Sequence, residues 1–361
     1  MAFSSACTPS VNVCILGGGI GGCSALKSLL ETASSSSSVA LIETERGLGG
    51  RSSTRLSRED ERIQINHGAP MADVRTPDGL HAFQSLEANG FARQISSQDS
   101  SVQYFVGDPN MKPAMTNDKV TNWILKDKND DVILTTDWLV ISGSSVAHSR
   151  WTDAFGGEPP LVKAAREIDN KDLDDALKCI GEIGASPVQV AMMAFDNTES
   201  WNSITTCTSV VEIPDDEILD KLVFRRSSDN NIVSVVAHST TEFALTAADV
   251  YGSKSTAARI GGASSSADRE EEVLGVLMSS VNTQLEKIIG NESVKPPMWG
   301  PFLHRWGNAF PTGSALPLEK AVIGDAKVAL CGDYVGERFG SIEGALLSGM
   351  RVGIEVGKLV K

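Results

Sequence analysis

The sequence predicts an α/β fold, in which a doubly wound parallel sheet is joined to a second, mixed α+β domain. Three observations support this prediction. Buried strands at 11–16 and 39–43 flank a glycine-rich turn and a helix, which is the order of a βαβ unit. The end of the chain returns to strand–loop–helix patterning at 327–361. Between them, residues 151–305 alternate between strand-like and helical runs.

The first elements follow from local hydrophobic patterns. Residues 11–16 (VNVCIL) are short, apolar and β-branched, as in a buried strand. A helix is predicted over 20–33, because small or apolar residues recur there at helical spacing. A five-serine loop at 34–38 then leads to a second buried strand at 39–43 (VALIE).

The later elements are predicted in the same way. A surface helix is expected at 78–92, and a β-meander with strands at 123–125, 132–134 and 138–141. The middle of the chain predicts strands at 188–195, 210–213 and 232–239, and helices at 164–177 and 268–289. Asp268 and Glu271 have the spacing of a capping box. A buried strand at 327–331 and a helix at 341–361 with a stripe of small residues complete the chain.

Composition excludes several classes of function. The 32 basic and 46 acidic residues of the 361-residue chain give a formal charge of −14, whereas nucleic-acid and anionic-membrane binders need a basic surface. No stretch approaches the ~20 apolar residues of a membrane span. The first 26 residues carry no charge, but glycines interrupt them and no basic region precedes them, which argues against a signal segment.

The cysteines and histidines predict no metal centre. The six cysteines show no CxxC spacing, and the five histidines show no HxxxH spacing. In a chain of this length such cysteines are typical of reduced, mostly buried thiols in a cytosol-like compartment. We therefore expect a cytoplasmic protein, with a plastid as the alternative.

A nucleotide-binding motif lies between the first strand and helix. In Gly17-x-Gly19-x-x-Gly22, the first glycine permits a tight turn, the second lets a pyrophosphate approach the backbone, and the third lets helix and strand pack closely. The helix that begins at Ile20 supplies amides and a positive dipole for phosphates. Glu43 ends the next strand and would bind a ribose diol. The motif predicts a Rossmann-like site for an adenine dinucleotide; a glycine-rich turn without ligand is the alternative.

A second glycine motif, Gly49-Gly50-Arg51, follows that strand. It has two interpretations. It is either a surface loop with a solvated arginine, or a loop in which Gly50 passes close to a cofactor ring and Arg51 donates to phosphate or ribityl oxygens.

Together with Gly332-Asp333 before the last helix, these motifs resemble the FAD-containing amine-oxidase superfamily. Finer features resemble the renalase family within it. They are His67-Gly68-Ala69, Val106-Gly107 with Met111, His304-Arg305-Trp306 with Ala309 and Pro311, and Cys331-Gly332-Asp333 with Glu343-Gly344-Ala345 and Ser348-Gly349. The resemblance extends nearly end to end. It is strongest at 11–70 and 302–356 and thin from 150 to 300.

The resemblance implies a non-covalently bound FAD. It assigns the ADP half to the first glycine motif and the flavin half to the later motifs. The implied cofactor residues are Gly17, Gly19, Ile20, Gly22, Glu43, Gly50, Arg51, Gly332, Asp333, Glu343, Gly344 and Ala345. The backbone of the last three would face the flavin N1–C2=O edge, where a helix N-terminus stabilises the negative charge of reduced flavin. The alternative is that small residues there only permit tight packing.

The resemblance also implies a reaction. His67 and His304 would lie beside the flavin and the substrate cavity as the catalytic candidates, whereas His81, His148 and His238 are expected to be surface or packing residues. The implied substrate is a small reduced molecule, an off-pathway dihydronicotinamide isomer of NAD(P)H. Its hydride would pass to flavin N5, and O2 would reoxidise the flavin to give H2O2. No nucleic-acid partner is expected, and the sequence does not predict an oligomeric state.

The resemblance further predicts how the domains divide. The FAD-binding domain would comprise 11–75, 104–150 and 320–361, and the substrate domain 76–103 and 151–319.

Two alternative functions remain open from the sequence. One is an FAD amine oxidase or a desaturase relative. The other is a flavin-poor, non-catalytic protein of the same fold. The second is suggested by residues 112–119, since these eight residues cannot supply the helix and long strand that the family has after the position of Met111.

Overall fold

The computed structural model describes residues 8–43, 47–69, 71–98, 101–106, 123–126, 131–198, 201–202, 204, 208–226, 231–252, 265–290 and 294–360. Gly107, Met111 and the short segment after it lie outside the described residues. The predictions that rest on that segment therefore stay predictions.

Helices and strands occur throughout the described part of the chain. The helices are α1 (Ile20–Thr32), α2 (Pro77–Ala88), α3 (Arg150–Phe155), α4 (Pro160–Ile168), α5 (Lys171–Gly181), α6 (Thr241–Thr246), α7 (Ala267–Ile289) and α8 (Ile342–Leu359). The strands are β1 (Ser10–Leu16), β2 (Val39–Ile42), β3 (Thr54–Leu56), β4 (Gln64–Asn66), β5 (Met71–Val74), β6 (Ala92–Gln98), β7 (Ser101–Val106), β8 (Trp123–Lys126), β9 (Val132–Ile141), β10 (Gly184–Asp196), β11 (Thr208–Glu212), β12 (Leu219–Arg226), β13 (Ile232–Ser239), β14 (Trp299–Thr312), β15 (Val322–Ile323) and β16 (Val328–Leu330).

The chain forms two compact units. The first takes its residues from 1–52, 69–184 and 311–361, and the second from 53–68 and 185–310. These units divide the chain differently from the predicted functional domains. Residues 76–103, 151–184 and 311–319 belong to the first unit, and 53–68 belong to the second. The physical reason is packing: α2 and β5 share a core with α8, and α4 and α5 share the core of β1 and β9. The division into cofactor and substrate domains stays a prediction.

The first unit is built on a largely parallel sheet. Its strand order is β15-β16-β9-β1-β2, with β8 also paired to β9. β1 is parallel to both β2 and β9, and β16 is parallel to β9, while β8 and β15 pair antiparallel. The residues of β1 at its centre are fully buried, as expected for a parallel strand covered on both faces. The predicted α/β class is confirmed.

Small residues let α1 and α8 approach closely. A Cβ at Gly349 would overlap the Gly21 carbonyl oxygen, and a Cβ at Gly353 would overlap the carbonyl oxygen of Ala25. Ser24 Oγ donates to the Leu346 carbonyl oxygen over 2.7 Å. The predicted stripe of small residues on the last helix therefore has a packing role.

The second unit is an antiparallel sheet with the order β11-β12-β13-β10-β14. Strand β10 is buried on both faces. Ala191 and Met193 pack in the same core as α7, whereas Val190 and Met192 pack in the same core as Ile65 of β4. This double burial explains why β10 is a continuous apolar run.

Three predicted local details differ in the structure. Residues 132–141 form the single strand β9 rather than two strands. The predicted helix at 164–177 is divided into α4 and α5, because Asp169 adopts a left-handed conformation with φ of 52° and Asn170 caps α5. Ser266, not Asp268, caps α7 by accepting a hydrogen bond from Arg269 N at 3.1 Å. Strand β12 was not predicted.

Gly349→Ala tests the close approach of α1 and α8. The added methyl group would meet backbone that cannot rotate away, so we expect the free energy of unfolding to fall by about 2–3 kcal/mol. Urea unfolding measures the change. Gly181→Ala is the control in the same unit: no atom lies within 4 Å of its added Cβ, and the substitution should be neutral or stabilise by up to about 1 kcal/mol. Equal effects of the two substitutions would contradict this account.

Candidate functional site

Two glycines of the first motif are required by the turn itself. Gly17 follows β1 with φ of +97°, a conformation that favours glycine, and its amide donates to the Ile42 carbonyl oxygen over 2.9 Å. A Cβ at Gly22 would overlap the Gly17 carbonyl oxygen. These two residues therefore close the connection between β1 and α1.

Gly19 is different, because nothing in the described protein requires a glycine there. Its φ is −69°, which any residue can adopt, and a Cβ would meet no atom within 4 Å. α1 begins at the next residue, with no acidic residue in its first turn and no side chain capping it. Open space at the N-terminus of an uncapped helix suits an anionic group.

The structure brings Glu43 and the second glycine motif onto this turn. Gly18 N donates to Glu43 Oε2 over 2.7 Å. Gly49 N donates to the Gly18 carbonyl oxygen over 2.7 Å, and a Cβ at Gly50 would lie 3.4 Å from Gly19 Cα. The predicted residues of the ADP half are thus neighbours in space.

Arg51 and Asp333 form a bidentate ion pair. Arg51 Nη1 and Nη2 donate to the two carboxylate oxygens over 2.8 and 2.6 Å. The Asp333 side chain is 11% exposed and that of Arg51 is 35% exposed. Gly332 N donates to Ser348 Oγ of α8 over 3.0 Å, which fixes the turn before Asp333. Two predicted cofactor residues are therefore held together by a charge-assisted, two-point contact.

The first turn of α8 presents fewer amides than the sequence predicts. Ser341 caps the helix: its Oγ accepts from Gly344 N over 2.9 Å, and its carbonyl oxygen accepts from Ala345 N over 3.0 Å. Within the described part of the chain, no acceptor is found for the Ile342 and Glu343 amides. Of the three amides predicted to face a ligand, that of Glu343 is available, and the Ile342 amide is a further candidate that the sequence did not suggest.

Both predicted catalytic histidines belong to one buried cluster in the second unit. The ring centroids of His67 and His304 lie 4.9 Å apart and meet edge to face. Trp306 packs against both rings, at 5.1 Å from His67 and 4.5 Å from His304. Its Nε1 donates to the His67 carbonyl oxygen over 2.9 Å. The motif His304-Arg305-Trp306 thus places two of its side chains on His67.

Burial keeps these histidines neutral. It lowers the pKa of His67 to about 4, and the nearby charge of Arg55 lowers that pKa further. The pKa of His304 lies well below its usual value, because the ring is buried and lies near His67 and Arg55. Burial next to Lys221 and His67 lowers the pKa of His238 to about 3. The sequence predicts only a surface or packing role for His238, and the structure buries its ring.

Several buried polar atoms in this unit have no hydrogen-bond partner among the described residues. They include four atoms in or near the histidine cluster: Asn66 Nδ2, His67 Nδ1, His238 Nε2 and His304 Nε2. Buried polar groups are normally satisfied, so a polar ligand group or an ordered water would supply the missing partners of these atoms. Because the rings are neutral, the cluster suits an uncharged polar group.

Three further observations concern metal binding, membrane insertion and the reactivity of Cys331. No group of three or more metal-ligating side chains occurs in the described ranges. Among the helices that the structure describes, none is long and apolar enough to cross a membrane. Burial raises the pKa of the Cys331 thiol to about 12, so this residue next to Gly332 is not a thiolate at neutral pH.

Comparison with known proteins supports the fold. Residues 15–89 match the family described as NAD(P)-binding Rossmann-like domain. The structure of a double mutant of putrescine oxidase aligns with this chain with a TM-score of 0.53 and 12% sequence identity. The structure of another mutant of that enzyme aligns with a TM-score of 0.55 and 11% identity. Each alignment covers 97% of this chain and 99% of the other. No match was found among curated proteins. At this identity the likeness establishes the fold.

The buried histidines predict a pH dependence of stability. As pH falls from 7 to 5, the histidines of the unfolded chain take up protons while His67 and His238 stay neutral in the folded state. The free energy of unfolding should therefore fall with pH, by about 2 kcal/mol per buried histidine. Urea unfolding at several pH values measures this slope.

His238→Asn should reduce the slope, because it removes one buried titrating group. His81→Asn, which replaces an exposed histidine of α2, is the matched control and should keep the wild-type slope. An unchanged slope in the His238 variant would show that this ring is not held neutral by the fold.

Proposed function

We propose that this chain is an FAD-dependent oxidoreductase of the renalase type. It would oxidise an off-pathway dihydronicotinamide isomer of NAD(P)H and pass the electrons to O2, forming hydrogen peroxide. The observation that carries the cofactor part is Gly19: the protein's own packing and backbone do not require a glycine there, whereas an approaching pyrophosphate does. The Rossmann-like match over residues 15–89 supports the same assignment.

The residues of the first unit fit an adenine dinucleotide. Gly17 would close the turn, while Gly19, Ile20 and Gly22 would leave backbone amides open to the pyrophosphate at the start of α1. Glu43, which already accepts from Gly18 N, would accept from ribose hydroxyls as well. Its negative charge would disfavour a 2′-phosphate, which favours FAD over an NADP-type dinucleotide.

The turns around Arg51 fit the flavin half. Two nitrogens of Arg51 donate to Asp333, which fixes the guanidinium in place. From that position Arg51 would donate to pyrophosphate or ribityl oxygens. Gly50 and Gly332 would let backbone pass close to the cofactor, and the first-turn amides of α8 would donate to the flavin N1–C2=O edge. When bound, FAD supplies the hydride acceptor. The un-ionised thiol of Cys331 supports a non-covalent attachment.

The histidine cluster supports a reduced nicotinamide over an amine. Arg55 is the charge that acts on both His67 and His304, and no carboxylate contributes to the pKa of either ring among the described residues. A protonated amine would find no counter-charge there, whereas a carboxamide could pair with the unpartnered atoms of Asn66 and His67. Hydride donation by a dihydronicotinamide needs no strong base, so neutral histidines suffice. We propose that His67 and His304 position the substrate.

An amine oxidase is the second candidate, because the fold is similar to that of putrescine oxidase. It would require recognition of a neutral amine. A substrate panel distinguishes the two candidates.

Gly19→Ala tests the cofactor assignment. Because the added Cβ meets no protein atom, folding stability should fall by at most about 1 kcal/mol, yet the methyl group would block the pyrophosphate. We expect purified wild-type protein to be yellow and the variant to lose at least about tenfold in FAD affinity, measured by fluorescence titration of the apoprotein.

Gly324→Ala is the matched control, since its Cβ also meets nothing within 4 Å and it lies in the turn between β15 and β16. It should bind FAD as the wild type does. A wild-type protein without flavin absorbance would instead favour the flavin-poor, non-catalytic alternative.

The substrate assignment is tested by anaerobic mixing of flavin-loaded protein with dihydronicotinamide isomers. We expect the oxidised-flavin absorbance to bleach, and admission of O2 to restore it with formation of hydrogen peroxide. Primary amines and polyamines should release no peroxide. Peroxide from amines without bleaching by the isomers would establish the amine-oxidase alternative.

A further inference from the structure

The Glu343 carboxylate lies in the first turn of α8 and is fully buried, with 0% of its side chain exposed. Its Oε1 accepts from Thr76 N over 2.9 Å and from Thr76 Oγ1 over 2.7 Å. Arg75 N lies 3.2 Å from both carboxylate oxygens, and Arg338 Nε donates to Oε2 over 2.6 Å. A Cβ at Gly79 would overlap Oε1, so the start of α2 closes over the carboxylate.

Arg338 links this carboxylate to the helix cap. Its backbone is left-handed, with φ of 60°, and its Nη2 donates to the Asp73 carbonyl oxygen over 3.1 Å. Its own carbonyl oxygen accepts from Ser341 Oγ over 2.5 Å, and Ser341 Oγ in turn accepts from Gly344 N. One residue thus holds both the side chain of Glu343 and the cap of the helix that bears it.

The positive end of the α8 dipole and the Glu343 carboxylate have opposite effects on the electrostatic potential at the start of this helix. A helix N-terminus carries a partial positive charge of about half an elementary charge, which stabilises a nearby anion. An unpaired carboxylate in the first turn would cancel that potential beside the Ile342 and Glu343 amides. The Arg338 guanidinium, 2.6 Å from Oε2, offsets the carboxylate.

We propose that Arg338 is a positioning residue. By neutralising Glu343 it keeps the electrostatic potential at the α8 N-terminus positive, and this potential stabilises the reduced flavin. This inference rests on the proposed function, because a flavin reports the potential. Neither side chain contacts a reacting atom in this account. A purely structural pair would affect stability alone.

Substitutions of Arg338 and Glu343 should shift the flavin midpoint potential in opposite directions. Arg338→Met leaves a buried negative charge at the helix start, which disfavours reduced flavin; we expect the potential to fall by about 30 mV, which is tenfold for a two-electron couple. Glu343→Gln removes that charge and leaves Arg338, so the potential should rise by a similar amount. Dye-equilibrated reductive titration of the full-length, flavin-loaded protein measures both shifts.

Two further variants control for structure. Arg338→Lys restores the positive charge and should return the reduction equilibrium to within about twofold of wild type, about 10 mV for a two-electron couple. Arg351→Met removes an exposed ion pair with Glu355 on the same helix and should leave the potential unchanged. Thermal unfolding of the flavin-free variants measures their structural cost separately.

The results distinguish the electrostatic role of Arg338 from the proposed function as a flavin enzyme. Equal or same-direction shifts in Arg338→Met and Glu343→Gln, or unchanged potentials with lowered melting temperatures, overturn the electrostatic role and leave the proposed function intact. A wild-type protein that binds no flavin overturns both. If Glu343→Gln fails to fold, the Met and Lys variants of Arg338 decide between a charge effect and a structural one.

Discussion

The close packing of α1 against α8 is the constraint on which the first unit depends. Glycines at 21, 349 and 353 leave no room for a side chain at the helix crossing. α1 follows the glycine turn after β1, and α8 follows the Gly332–Asp333 turn after β16, so this packing brings the two turns together. A Cβ at Gly21 would lie only 3.0 Å from Gly332 Cα. The two ends of the chain thereby share one edge of the parallel sheet, where ligands of such folds bind.

An acidic chain can still offer sites for an anionic cofactor, because the relevant potential is local. The chain has a formal charge of −14, yet the first turn of α1 contains no acidic residue. In the first turn of α8, the one acidic residue is paired with Arg338. Backbone amides then provide positive partial charge without a basic surface. A net charge of −14 is therefore compatible with a local site for a dinucleotide.

The second unit creates a different environment. Strand β10 is buried on both faces, and the histidines near it lie away from water, with Arg55 and Lys221 as the neighbouring charges. Burial and like charge both disfavour imidazolium, so the cluster is polar but neutral near pH 7. Such rings can orient a substrate by hydrogen bonds, whereas they are poorly suited to retain a cation.

The sequence by itself determined the first βαβ unit, the glycine turn after β1, and the last strand and helix. Hydrophobic periodicity and glycine placement are local properties of the chain, so a short segment is enough to show them. Only the tertiary structure decided the Arg51–Asp333 pair, 282 residues apart, the burial of Glu343 against Thr76, 267 residues away, and the place of His238. It also showed β12 and the break at Asp169. These features depend on contacts between distant segments, and no local pattern encodes which distant side chain will satisfy a buried charge.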